Sequence, residues 1–459
     1  MQNPTPNKMA SRPVGSLLIT MGSPIMLSMM IQALYNVVDS IFIARIGEEA
    51  LTAVSLAFPI QMLMISVAVG TAIGVNSLLS RRLGAQEQKA ASNVAIHGLF
   101  LAVVIWLFFA LFGAILTPFF FQLFSDSQAI ISMGQDYLLI CTTLSLGIFG
   151  QFVAERIMQG TGDTIHPMIT QGIGAIINII LDPIFIFGYF GFPRMGVAGA
   201  AIATVIGQWV AMALAFFFML RKTPELSFKF KGFRPRLRII GEIYQVGLPS
   251  IIMQSIGSVM TIGMNTILIT FSATAVAVFG VYFKLQSFIF LPVFGLTAAM
   301  ISIVGFNYGA RNKERVSRTI RHAVLIAFGV MLTGTLVFQV FPKFLLELFD
   351  ASPEMMRIGS RALRIISIHF PLAGIAIILS SSFQAIGKGF YSLIISIVRQ
   401  LVILLPAAFL FARLWGLDYV WLAFLTSEVV SLTLSIIFFI GIYRREIATL
   451  KQPLIPNLG

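Results

Sequence analysis

A chain of 459 residues with 58% apolar and 11% charged residues, and a mean hydropathy of +0.93, is far too apolar for a soluble protein, in which roughly a quarter of residues are charged. Its net charge of +13 does not point to nucleic acid, because the basic residues flank apolar stretches instead of covering a polar domain. Anionic lipid headgroups are the partner that suits such a distribution.

The chain opens on a polar segment, Met1 to Pro13, and continues into an apolar stretch too long for a cleaved leader and without a clear small-residue cleavage site, so the stretch reads as a first membrane helix. Apolar runs of about 20 residues, the length that crosses hydrocarbon, recur to give twelve expected spans. In the first half they fall at 15–43, 52–80, 92–118, 134–158, 165–190 and 196–220. In the second half they fall at 241–270, 276–306, 321–342, 362–385, 389–412 and 418–443. The expected fold is an all-α integral membrane protein with twelve transmembrane helices in two pseudo-symmetric six-helix lobes. The lobes would take residues 1–220 and 241–445, with a basic cytoplasmic linker at 221–240 and a cytoplasmic tail at 446–459.

The two halves are one module written twice at a constant offset of 225 residues. Gly22-Ser23-Pro24 answers to Gly247-Leu248-Pro249, Phe58 and Gln61 to Phe283 and Gln286, and Gly70 to Gly295. Gly84-Ala85 answers to Gly309-Ala310, and Gln159 with Gly162 to Gln384 with Gly387, still without a gap. Duplicated helical halves are characteristic of secondary transporters.

Short loops rich in Lys and Arg stay cytoplasmic. With both termini inside, Lys8, Arg12, Arg81, Arg82, the linker, the loop from Arg311 to Arg321, Lys388, Arg444 and Arg445 all fall on the cytoplasmic side. Only Arg45, Arg194, Lys343, Arg357, Arg361, Arg364 and Arg413 are left outside. This is the pattern of a multi-pass inner-membrane protein, expected as a monomer.

Cys141 stands alone, and His97, His166, His322 and His369 are scattered without ligand spacing, so no metal site is expected. No G-x-x-x-x-G-K-[ST] loop is present to cradle a nucleotide. Neither an enzymatic activity nor a cofactor is therefore expected, and an ion gradient is left as the energy source, its transported proton or sodium being the only ion required.

Acids inside the spans carry the most information. Tyr35, Asn36 and Asp39 share a helix face at three- and four-residue spacing near the outer end of the first helix. Asn178 and Asp182 do the same near the outer end of the fifth, followed by Pro183. An ionised carboxylate in hydrocarbon costs about 2.5–3.5 kcal/mol, so such a residue faces a cavity or a partner. Burial and mutual repulsion favour the protonated form, which makes a proton switch. Two ionised carboxylates with Asn178 would instead offer hard oxygens to sodium. Pro183 lacks the N–H that would bond the Ile179 carbonyl, which frees that oxygen as a further ligand. Few strong bases accompany the pair in this half, and that favours protons.

Taken in order, Pro24 with Asp39 fifteen residues on, the turn from Gln159 to Asp163, Asn178-x-x-x-Asp182-Pro183, and G-x-x-G-A-A at Gly196 to Ala201 resemble the multidrug and toxic compound extrusion (MATE) family, and within it the DinF-like branch. The resemblance covers essentially the whole chain. It implies a V-shaped pair of lobes that exports amphipathic, often cationic compounds against inward proton or sodium flow. It also implies that Asp39, Asn178 and Asp182 line a cavity in the first lobe, with Thr204 and Gln208 as the polar groups of the sixth helix. The family's other main branch places acids on helices seven and ten. This sequence departs from that pattern, since Met264 stands at the position equivalent to Asp39 and the seventh span carries only Glu242, at its edge.

Three charges in the second half, Lys284, Arg399 and Glu428, need partners. A structural salt bridge between Glu428 and one of the bases is expected; the alternative is a Glu428 that attracts cationic cargo, its charge modulated by Lys284. The recurring Phe58, Gln61, Phe283 and Gln286 are cavity candidates, although repeat packing is the favoured explanation of their recurrence. Pro24 and Pro183 are expected helix-bend positions. Glu155 with Arg156 reads as a lobe-stabilising pair in preference to a gate, and Asp163 or Thr164 as the cap of the fifth helix. A lipid-linked oligosaccharide flippase is the alternative function, but its pyrophosphate cargo calls for more cavity bases than Lys284 and Arg399. A membrane enzyme acting on lipids would need clustered acids or histidines that the sequence lacks.

Overall fold

The computed structural model describes residues 7–450 and 453–454; the first six residues and much of the tail expected at 446–459 lie outside the described residues. Every apolar run is helical, since in hydrocarbon the backbone's only partner is itself. In the first half the spans are α1 (Val14–Ala44), α2 (Glu48–Gly84), α3 (Gln88–Phe124), α4 (Gln128–Thr143 and Leu146–Thr161, meeting at 42°), α5 (Ile165–Phe187) and α6 (Gly196–Lys222). In the second half they are α7 (Leu237–Leu268), α8 (Ala273–Gly309), α9 (Lys313–Val340), α10 (Pro353–Ser367 and Phe370–Ala385, meeting at 46°), α11 (Gly389–Trp415) and α12 (Leu417–Ile447). Ten helices and two bent pairs thus give up to twelve spans, and no strand occurs among the described residues.

Helix ends follow local chemistry. Ser272, Asn312 and Ser352 accept N–H bonds at the starts of α8, α9 and α10. Asp163 accepts from the backbone N–H groups of Ile165 and His166 at the start of α5, the cap anticipated there.

The chain divides into two compact units. The first holds Leu27–Leu83 and Glu87–Gly247; the second holds the residues up to Met26, Gly84–Gln86 and those from Leu248 on. The boundaries therefore fall inside α1, just past Pro24, and inside α7, just before Pro249, and not in the linker. In the second unit the early part of α1 packs on α8, where a methyl group on Gly295 would stand 2.9 Å from Met26 N and 3.0 Å from the Gly22 carbonyl oxygen. The first unit repeats the contact with the equivalent residues, a methyl on Gly247 standing 3.1 Å from the Gly70 carbonyl oxygen. At Gly295 and Gly247 two helix backbones meet too closely for a side chain to fit without a shift.

Within the first unit α5 and α6 are packed backbone to backbone: a methyl on Gly174 would stand 3.0 Å from the Gly207 carbonyl oxygen. The linker docks on α3, with Ser227 N–H donating to Ser92 Oγ, Arg236 N–H to His97 Nε2, and the Phe233 ring set edge-on against His97. At the other end of the chain, Leu454 N–H donates to the Ala310 carbonyl.

Candidate functional site

Helical spacing builds a polar cavity inside the first unit. Gln32, Tyr35 and Asp39 lie at i, i+3 and i+7 on α1, and Gln171, Gly174, Asn178 and Asp182 continue the same spacing on α5. The cavity encloses about 430 Å³ counting its mouth, and is lined by Gln32, Tyr35, Gln151, Gln171, Asn178, Thr204 and Gln208 together with Ile148, Phe152, Gly174, Ala175 and Gly207. Gln171 Nε2 donates to Gln32 Oε1 at 3.0 Å, tying α5 to α1. Asn178 Nδ2 donates to Asp182 Oδ1 at 3.3 Å and to Thr204 Oγ1 at 3.2 Å, tying α5 to α6.

Asp182 is fully buried, and its charge interacts with that of Asp39. The Tyr35 hydroxyl bonds to Gln32 and feels both acids. Among the described residues, Asp39 Oδ1, Asn178 Oδ1 and Asp182 Oδ2 are buried and accept no hydrogen bond. Three acceptors in one place, each expensive to leave unpaired, form a site that a proton or a small cation can complete. Pro183 has no N–H to give Ile179, so the nearby backbone can add an oxygen to the same set.

Asp39 and Asp182, expected to line this cavity with Asn178, stand beside it and outside its lining, one helical turn beyond Tyr35 and Asn178, and several other expected residues fall elsewhere. Asn36 is exposed and outside the cavity lining, because it lies 100° around α1 from Tyr35 and the inward face is taken by the Gln32-Tyr35-Asp39 row. Phe58 is likewise exposed. Its repeat partner Gln61 turns inward, donating to the Tyr137 hydroxyl at 3.1 Å, and Tyr137 and Cys141 both sense Asp39. In the second unit Phe283 and Lys284 are exposed and Gln286 is half-buried. Lys284 Nζ lies 5.9 Å from the centre of the Phe349 ring, while Arg399 takes the place beside Glu428, at 3.7 Å. Met264, the counterpart of Asp39, is buried in apolar surroundings.

Glu155 and Arg156 take separate partners instead of each other. Glu155 accepts from Gln151 at 2.9 Å and from Thr170 on α5 at 3.0 Å, while Arg156 donates to Gln159 at 2.8 Å. Sequence reasoning missed Gln32, Gln151, Gln171, Tyr137 and Cys141 as neighbours of the acids. For the first and third a signal was present, since each sits two turns before an acid-bearing face position, Gln32 before Asp39 and Gln171 before Asn178.

The MatE family model matches residues 24–184 and again 249–410, two segments that begin at the repeated prolines. Among curated relatives, the probable multidrug resistance protein NorM of Thermotoga maritima is 27% identical over 96% of each chain. The FAD transporter of Shewanella oneidensis is 27% identical over 90% of this chain and 91% of its own, and the multidrug export protein MepA of Staphylococcus haemolyticus is 27% identical over 94% of both. Among solved structures, a MOP superfamily transporter from Pyrococcus furiosus, whose binding pocket is described as having reversed polarity that suggests a different function, superposes with a TM-score of 0.89 at 27% identity, covering 98% of this chain and 100% of that one. An outward-facing multidrug resistance MATE family transporter superposes equally well at 28% identity, covering 98% and 99%. A duplicated all-helical membrane fold, matched in both halves by the family model and over nearly its whole length by solved members, makes this chain a member of the MATE family of transporters.

Proposed function

We propose that the chain is a multidrug efflux antiporter that exports amphipathic, often cationic organic compounds by alternating access against an inward flow of cations, with protons favoured over sodium. The observation that carries this reading is the set of three buried, unpartnered oxygens of Asp39, Asn178 and Asp182. A proton on either carboxyl turns an acceptor into a donor, which relieves one orphan oxygen by bonding it to another and removes the repulsion between the two acids. Sodium would need several of these oxygens in its shell at once. With two acids whose charges interact and no Lys or Arg in the lining of the adjoining cavity, protonation is the simpler way to complete the site.

Antiport requires that proton and cargo favour opposite states of the same site. Cationic cargo is drawn to the ionised acids, and protonation discharges them and releases it. The multidrug names of the Thermotoga and Staphylococcus relatives support this cargo class. The Shewanella FAD transporter points instead to an anionic cargo, against which stands a cavity lined by amides, a tyrosine and a threonine, without Lys or Arg. The basic loops support a reading with both termini in the cytoplasm and the protein in the inner membrane, and we take it to act as a monomer.

The test is purified protein in liposomes loaded with a fluorescent organic cation. Efflux should follow an imposed pH gradient in sodium-free buffer, and cargo binding should weaken as pH falls. Transport that needs sodium, and persists after the pH gradient is collapsed, would refute proton coupling and assign the same oxygens, with the Ile179 carbonyl, to sodium.

A further inference from the structure

The second unit buries one acid of its own, Glu428 on α12, at 3% exposure. Its Oε2 lies 3.7 Å from Nη1 of Arg399 on α11, a single loose contact and not the two-pronged pair that guanidinium and carboxylate form at their strongest. Among the described residues its Oε1 is buried and accepts no hydrogen bond, and the Tyr282 hydroxyl on α8 is buried and unpartnered as well. Tyr282 stands close enough to sense both Glu428 and Arg399. Ser431, one turn further along α12, is buried and also faces the Glu428 carboxyl, and rings complete the surroundings. Phe424, one turn before Glu428, lies 5.6 Å from Tyr282 and 5.8 Å from His369 on α10.

Access to this cluster is one-sided. The Glu428 side chain is 4% exposed while that of Arg399 is 28% exposed, so the guanidinium is the part that can be reached from outside. Arg399 also sits in the π-helical turn Val398–Leu404, a wide and rare backbone form that recurs at functional positions.

We propose that this cluster is a second cation-recognition site, for the ammonium or guanidinium head of an organic substrate, in which Arg399 is a tethered cation that holds Glu428 until the substrate head takes its place. The proposal rests on the reading of the chain as an exporter of organic cations and says where in the second unit such a head docks. A pair kept only for stability gains little from being buried, since apolar residues of similar size are often as stable. It would also not be expected to leave a carboxylate oxygen and a hydroxyl unpaired beside it. A head in the position of the guanidinium meets that spare oxygen, with the unpartnered Tyr282 hydroxyl close by to accept from it. Lys284 stands apart over Phe349 and does not compete. A tethered competitor keeps affinity moderate, which suits a protein that must release its cargo.

Ethidium binding to the purified full chain in nanodiscs, read by fluorescence anisotropy, tests this. Arg399→Gln should bind about tenfold tighter, Glu428→Gln about tenfold weaker, and the double variant no tighter than Glu428→Gln. Four affinities within twofold of one another, or weaker binding by Arg399→Gln, would overturn the site. So would stability changes in the single variants that the double variant cancels while dye affinity stays constant. If Arg399→Gln does not fold, Arg399→Lys keeps the test, with unchanged dye affinity in both Arg399→Lys and Glu428→Gln overturning it. Gradient-driven ethidium efflux by the wild type in liposomes separates the two readings. Efflux without the binding shifts leaves an exporter and no second site; binding shifts without efflux leave the site and remove the exporter.

Discussion

Gly207 on α6 faces Gly174 on α5 immediately beside Asn178, and Gly207→Ala tests whether the polar site depends on that close approach. A methyl at 207 would stand 2.8 Å from the Gly174 carbonyl oxygen and 3.3 Å from Asn178 Cβ. Carbon and carbonyl oxygen come no closer than about 3.3 Å, so α6 must move away from α5 by roughly half an ångström. The bond from Asn178 Nδ2 to Thr204 Oγ1 is already 3.2 Å long, and the same movement stretches it to about 3.7 Å, past the length at which a hydrogen bond still counts. Overpacking of this kind costs about 1–3 kcal/mol, and a weakened buried bond adds about 1 kcal/mol. The expected result is a thermal unfolding midpoint lowered by several degrees and gradient-driven efflux reduced about tenfold, the factor that 1.4 kcal/mol represents. Gly172→Ala on the facing helix α5 is the control, because its methyl meets only Ile31 Cδ1 at an ordinary 3.8 Å and alanine favours a helix interior by about 0.5–1 kcal/mol. If Gly207→Ala matches Gly172→Ala in both stability and efflux, the α5–α6 contact does not set the site and the reasoning fails.

Asp39→Asn should abolish coupled export of a fluorescent cation while leaving the protein folded and inserted, because the amide keeps the shape and loses the titratable charge; wild-type drug resistance in cells carrying it would end the assignment. Asp182→Asn should be severely impaired in the same efflux assay. Glu242→Gln should transport nearly as well as wild type, since its pairs with Arg82 at 2.8 Å and Arg238 at 3.4 Å are partly exposed and worth less than about 1 kcal/mol each; the reverse ranking of the two variants would move coupling away from the cavity. Pro24→Ala should slow turnover more than it weakens cargo binding, and unchanged turnover at equal expression would show that Pro24 serves only to shape the start of α1.

The spans, the duplication and the two acids were legible because hydrocarbon imposes length, backbone satisfaction and avoidance of charge on the sequence directly. The neighbours of the acids were less so. Gln32 and Gln171 read as incidental amides until the 3.0 Å bond between them shows that they join α1 to α5. Asn36 and Phe58 lie exposed and outside the first-unit cavity for one reason: a polar or recurring residue says which helix it is on, whereas its direction depends on a rotation that only neighbouring helices fix. His97 looked idle, with no ligand spacing. In the fold it receives the Arg236 N–H at 2.9 Å and anchors the linker, a role that depends on a contact 139 residues away in sequence.

The repeat has kept its contacts and lost its charges, and the two facts have different causes. Gly295 and Gly247 stand at the equivalent backbone crossings with Gly22 and Gly70, and a methyl on either would crowd the facing backbone, at 3.0 Å and 3.1 Å from the carbonyl oxygens of Gly22 and Gly70, so packing constrains both copies alike. Asp39 and Met264 hold equivalent positions on α1 and α7 under no such constraint. Each of these helices passes from one unit to the other beside its proline, α1 after Met26 and α7 after Gly247. Pro24 cannot donate a backbone bond to the Thr20 carbonyl, which leaves α1 a weak point between the Gly22 anchor and the row formed by Gln32, Tyr35 and Asp39. A change of charge at Asp39 alters the contacts of that row alone, and the part of α1 best able to absorb the difference is the proline segment between them. Helix α7 has the same weak point at Pro249 but carries Met264 where a titratable group would act on it. The same proline weak point therefore occurs twice, and on the proposed mechanism only the copy on α1 has an ionisable group, Asp39, to act on it.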